Sequence, residues 1–171
     1  MDVRELVISQ FKMAHGVLLQ VMADVPNDIA NKKLAGSEID TVGSTFAHLV
    51  FSEDGIVNGL CLGRPPVFMS GGWAGKTGTD MPANPRQSHE WAATVQMDIA
   101  KFLPYARAVF ANTEEAIASL SDEEMGKTVQ GPLGPSTVFG SISGLTLYHT
   151  TQHSGEISAL LGAHGRKGLP F

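Results

Sequence analysis

Apolar residues recur at three- and four-residue steps from about Val3 to Asp24, through Leu6, Val7, Phe11, Ala14, Leu18 and Val21, the pattern of an amphipathic helix that Pro26-Asn27 ends. The stretch from Asn31 to Asp40 is polar, and Ser37-x-x-Asp40 offers capping chemistry for a second helix, about Asp40 to Leu62. Its apolar stripe is Val42, Phe46, Leu49, Ile56, Val57 and Leu60. Glu53 falls inside that stripe, and His48 lies to one side on a row of small residues. A third helix is predicted from about Gln87 to Leu120, kinked at Pro104, with Asn112-Thr113 able to cap a restart. A helical turn at Ser121-Asp-Glu-Glu and a Gly/Pro-rich loop follow. Ser136 or Thr137 then caps a fourth helix that runs to about Ala163. No segment shows sustained period-two alternation, so no strand is predicted. The pattern predicts an all-α, up-and-down four-helix bundle with a long loop between helices two and three, one domain over residues 1–171.

That loop, Gly63 to Pro85, is rich in glycine and proline with two apolar anchors, Phe68 and Trp73. A connection of this length in a small domain is uncommon and often functional. Two readings stand side by side: a flap over one bundle end, or an ordered connector whose Trp73 plugs the core. Its GGWAGKTG run does not fit the phosphate-binding Gly-x-x-x-x-Gly-Lys-Ser/Thr pattern, because Ser70 stands five residues before Gly75.

Composition narrows the function classes. A chain of 171 residues, 43% hydrophobic and 17% charged, can bury a core without covalent or metal staples. Twelve basic residues against seventeen acidic ones, with the basic ones scattered, argue against nucleic acid as a partner. The amino-terminal segment has charges at positions 2, 4 and 5 and does not read as a secretory signal, and no unbroken apolar run reaches the roughly 20 residues of a membrane span. A lone cysteine, Cys61, fits a reducing compartment, so a cytoplasmic location without membrane attachment is expected.

Among six histidines, His149 and His153 stand out. They share a stripe with Ile142, Leu145, Ile157 and Leu160, so both rings are expected to face the core one helical turn apart. That spacing lets two imidazoles share an ion, the helical logic of zinc protease motifs without their glutamate. Buried histidines also commonly just hydrogen-bond to a carbonyl or carboxylate, and the pair alone leaves both readings open. A third ligand must come from another helix, where His48 is the natural supplier. Three neutral imidazoles would leave a position for water or substrate, and Glu53 and Glu156 are candidates to orient a ligand or move a proton. Glu53 by itself reads more simply as the partner of a basic residue on another helix. His15, His89 and His164 read as structural or solvated, and Cys61 as a small core residue.

The segments Phe46-Ala-His48-Leu-Val-Phe-Ser-Glu53 and Leu147-Tyr-His149-Thr-Thr-Gln-His153-Ser-Gly-Glu-Ile157 together resemble the DinB/YfiT-like superfamily of metal-binding four-helix bundles, over essentially the whole chain. The resemblance implies that His48, His149 and His153 bind a divalent transition metal, zinc or nickel first and iron next, with an acidic residue at the position of Glu53. It implies a metal-dependent enzyme acting on a small-molecule substrate, with a low-molecular-weight thiol as co-substrate of an S-transferase or isomerase. A metal-dependent hydrolase, or a non-catalytic metal- or small-ligand-binding stress protein, are the alternatives. Helix one offers a face for a homodimer.

Overall fold

In the computed structural model, residues 2–83 and 88–171 are described. The expected start of helix three at Gln87 and the end of the loop at Pro85 lie outside them. Four long helices form the bundle: α1 (Val3–Ala23), α3 (Val42–Asp54), α6 (Ile99–Ser119) and α9 (Leu147–Ala163). α1 packs chiefly on α6 and α9, and α3 chiefly on the same two. The order around the bundle is therefore α1, α6, α3, α9, and helices next to each other in sequence do not always become neighbours in space. α1 is long and apolar enough in composition to cross a bilayer, yet Val7, Phe11, His15, Leu18, Val21 and Met22 face the bundle interior and are buried.

Local chemistry sets most boundaries. Asp2 caps α1 by accepting the Arg4 amide at 2.9 Å. Thr41 caps α3 through the Ser44 amide at 3.1 Å, rather than the expected Ser37/Asp40 pair; Ser37 instead takes the Ile39 amide at 3.0 Å. Between α1 and α3 the short α2 (Asn27–Ala30) is tied to the start of α6: Asn27 accepts from the Ile99 amide at 3.0 Å, and Asn31 both accepts from and donates to the Met97 backbone at 2.6 and 2.8 Å.

Helix three is not one kinked rod. A short α5 (Ser88–Ala92) is separated by residues 93–98 from α6, which Asp98 caps through the Lys101 amide. Pro104 lies inside α6, which continues without a restart at Asn112-Thr113. The carbonyl deprived of its donor belongs to Ala100, an exposed residue, so water can satisfy it. The turn before the fourth helix is α7 (Asp122–Gly126), with a Ser121/Glu124 capping box.

Two further departures matter for function. Residues expected to be loop form a hairpin, β1 (Thr128–Gly131) paired antiparallel with β2 (Gly134–Thr137) in the register Thr128↔Thr137. Gly134 closes it at φ +107°, a conformation costly for any other residue. α8 (Val138–Gly140) leads into the fourth helix. Second, the helices that carry His48 and the His149-His153 pair both widen into π-helical segments, Gly55–Cys61 after α3 and Ser141–Thr146 before α9, and these two segments pack on each other. Wide turns of this kind are often found at functional sites.

The core has two parts. The larger centres on Phe46, Phe51, Phe102 and Tyr105, whose rings meet edge-on or tilted at 5.4–5.5 Å. The smaller, under the hairpin end, gathers Val7, Phe11, Ile117, Val138 and Ile142. The first half of the long connection joins the larger one: Phe68, in α4 (Val67–Ser70), is buried, and Trp73 packs at 5.8 Å from Tyr105. A Cβ at Gly71 would lie 2.7 Å from the Trp73 ring, so glycine is what lets the indole lie there. Asp54, fully buried, accepts from the Val67 and Phe68 amides (2.7 and 2.9 Å), from Asn58 (2.8 Å) and from the Tyr105 hydroxyl (2.7 Å). This part is an ordered connector pinned by one carboxylate.

Candidate metal centre

His48 projects from the flank of α3 toward α9, and His149 and His153 project back from α9. The three rings meet through their Nε2 atoms. His48 Nε2 lies 3.2 Å from His149 Nε2, and His153 Nε2 lies 3.1 Å from the same atom. One nitrogen from each residue falls within 4.8 Å of the others. The rings stand nearly perpendicular, at interplanar angles of 64° to 83°.

Protons alone leave this arrangement poorly satisfied. His153 Nδ1 sits 2.6 Å from Glu156 Oε2, and a carboxylate can only accept, so Nδ1 carries a hydrogen and the neutral form of His153 presents a bare lone pair at Nε2. His149 Nε2 then has two neighbours and at most one hydrogen to share. Imidazoles bound to one ion at about 2.0–2.1 Å stand roughly 2.8–3.4 Å apart for angles between right and tetrahedral. The separations of His149 Nε2 from His48 and His153 lie in that range, and all three nitrogens are within 4.8 Å, so the donor set fits a divalent transition metal.

Electrostatics favour the same use. Burial, reinforced by the charges of His153 and His48, pushes His149 down to about 3. His48 is lowered by burial and by His153. Both rings are therefore neutral, ligand-ready bases at ordinary pH. All three residues are half-buried. His149 and His153 do not reach the core as their stripe predicted, because the buried stripe of α9 runs through Thr150, Ile157, Leu160 and Leu161 and leaves both on its edge, while His48 lies on the flank of α3 as expected.

That edge opens on a cleft of about 420 Å³, for which His48 and His149 form one wall. Phe51 and Ile56 come from the α3 side and Leu145 from the second π segment. Met81 and Pro82 come from the long connection, and Gln130 and Pro132 from the hairpin. The loop reading is thus divided: Trp73 plugs the core, while Met81-Pro82 wall the cleft. The hairpin's share was invisible in the sequence.

Glu53 and Glu156 part company. Glu156 holds His153 as described. Glu53 hydrogen-bonds to none of the three imidazoles, since five residues along a helix turn it roughly 140° from His48. It accepts instead from the hydroxyls of Thr113 (2.7 Å) and Thr150 (3.1 Å) and meets His15 Nε2 at 3.1 Å. His15 Nδ1 lies 3.0 Å from Glu114, and the ring stacks on Phe110 at 3.9 Å. In this second cluster His15 and Glu53 are buried, 3% and 1% exposed, while Glu114 reaches the surface. Burial lowers the His15 pKa, but Glu53 and Glu114 together outweigh it and hold the ring above its usual value. The pairing of Glu53 with a base on another helix is as the sequence suggested. That the base is His15 could have been read from its place on the Phe11–Leu18 stripe. Of the other histidines, His89 is largely exposed near Asp40. Burial, only partly offset by the Ser141 side chain, pushes the Cys61 thiol up to about 11, so it is not an activated nucleophile.

A helical bundle with three convergent imidazoles beside a cleft defines a candidate mononuclear metal protein. The chain belongs to the DinB superfamily, whose sequence profile matches residues 10–157. No curated protein matches the sequence. In fold it is similar to a conserved protein of Enterococcus faecalis, with a TM-score of 0.80 over 97% of this chain and 99% of that one at 19% identity, a likeness that speaks for the architecture alone.

Proposed function

We propose that this chain is a metal-dependent enzyme in which His48, His149 and His153 hold one divalent transition ion, zinc or nickel in the first place, and the adjoining cleft receives a small molecule, with a low-molecular-weight thiol as co-substrate of an S-transferase or isomerase reaction. The observation that carries the reading is the convergence of three Nε2 atoms at the wall of a cleft. An ion held there supplies Lewis acidity that lowers the pKa of a coordinating thiol. The chain's own residues do the rest. Glu156 fixes the His153 tautomer and ring angle, low basicity keeps His48 and His149 unprotonated, and the apolar walls limit water around the reacting atoms.

Metal content of untagged protein, compared with His149→Ala and His153→Ala, tests the site. Near-stoichiometric metal in the parent and its loss in both variants is expected; a metal-free parent removes the site. Conversion of a chloronitroaromatic electrophile only when a small thiol is added would support the transferase reading. Turnover of esters or amides without thiol would replace it by the hydrolytic one. Bound metal with no turnover of either kind would leave a metal-binding protein.

A further inference from the structure

We infer that the cleft selects a substrate with an uncharged, apolar body, carrying at one end the group that reaches the imidazoles. This rests on the metal reading above and adds the substrate class to it. Among the described residues that line the cleft none carries a formal charge; the walls are made by side chains such as Phe51, Ile56, Leu60, Met81 and Leu145. Beyond the imidazoles, the polar side chains are confined to Ser52 and Gln130. A carboxylate, sulfonate or phosphate placed between these walls would surrender hydration with no cation to replace it. An aliphatic or aromatic body would leave water favourably. A volume of about 420 Å³ is within the range of small-molecule sites.

The π segments are what make the space. Gly55 opens the first, and a Cβ built on it meets nothing within 4 Å. Its backbone is helical rather than left-handed, so a larger side chain is sterically allowed there and would fill the cleft. The second segment places Leu145 four residues before His149, and both line the cleft.

The test uses cobalt-loaded protein, in which a bound thiol gives a sulfur-to-cobalt charge-transfer absorption. The probes are butanethiol, hexanethiol and mercaptoethanesulfonate, titrated separately. Dissociation constants should tighten about threefold to fourfold for each added methylene, and the sulfonate should bind at least about tenfold more weakly than butanethiol. Gly55→Leu should weaken hexanethiol at least about tenfold with cobalt stoichiometry unchanged, and Leu145→Gln should flatten the chain-length dependence. Equal binding of the two alkanethiols, a sulfonate that binds as well as hexanethiol, or an unaffected Gly55→Leu protein would each overturn the inference while leaving the metal site standing. Failure to take up cobalt would overturn both.

Discussion

The bundle holds two histidine clusters, one between α3 and α9 and the other joining all four long helices, and they are electrostatic opposites. At His48, His149 and His153 imidazoles face one another, with one carboxylate, Glu156, at the edge. At His15 a single imidazole lies between Glu53 and Glu114, and Thr113 and Thr150 each donate to one of the two Glu53 oxygens. The first cluster disfavours protons at His48 and His149 and opens on a cleft; the second favours a proton on His15 and buries His15 and Glu53, with Glu114 reaching the surface. Burial pushes His15, His48 and His149 alike toward neutrality, and what separates them is whether the nearest charges are like or opposite. Residue type says little about role until those neighbours are in place.

The comparison breaks most visibly at Glu53. Glu53→Ala strands a buried imidazole and two hydroxyls and should cost about 3–5 kcal/mol in urea unfolding, with metal content unaltered. Metal loss at undiminished stability would instead assign Glu53 to the metal centre. Glu156→Gln should weaken metal affinity about 10–100-fold in chelator competition with little change in the stability of the metal-free protein.

A smaller effect, in pH dependence, sharpens the contrast. In metal-free protein the His15 cluster has a folded pKa above the unfolded value, so its contribution is full below about pH 6.5 and fades as pH rises through the folded pKa. His48 and His149 are lowered, so the folded state resists protons that the unfolded chain accepts, and their cost grows as pH falls below about 6.5. Stability followed by urea midpoint should therefore peak near that pH. His15→Gln should remove the alkaline decline and His149→Ala should soften the acid one; identical profiles for both variants and the parent would dissolve the distinction between the clusters.

How far the sequence reaches follows the range of the interactions. The His149-His153 pair, the Ser121/Glu124 box and the four apolar stripes depend on neighbours within one or two helical turns, and helix geometry alone makes them legible. The hairpin escaped because its strands are four residues each and interrupted by Pro135, too short for alternation to register. The break before α6 escaped because it is set by Asn27 and Asn31, some seventy residues earlier, claiming the Ile99 and Met97 backbone. His48 was joined to its partners by family likeness, since nothing local to α3 says which helix it faces.

By itself, then, the sequence determined an all-α bundle, the placement of two imidazoles one turn apart and membership in a metal-binding superfamily. Tertiary structure brought His48 to 3.2 Å from His149, as the family likeness implied, and it alone decided that Glu53 meets His15 and that hairpin and connector wall an uncharged cleft. Each of these is a meeting of side chains far apart in the chain, and only the packing of whole helices brings their charges and lone pairs within a few ångströms.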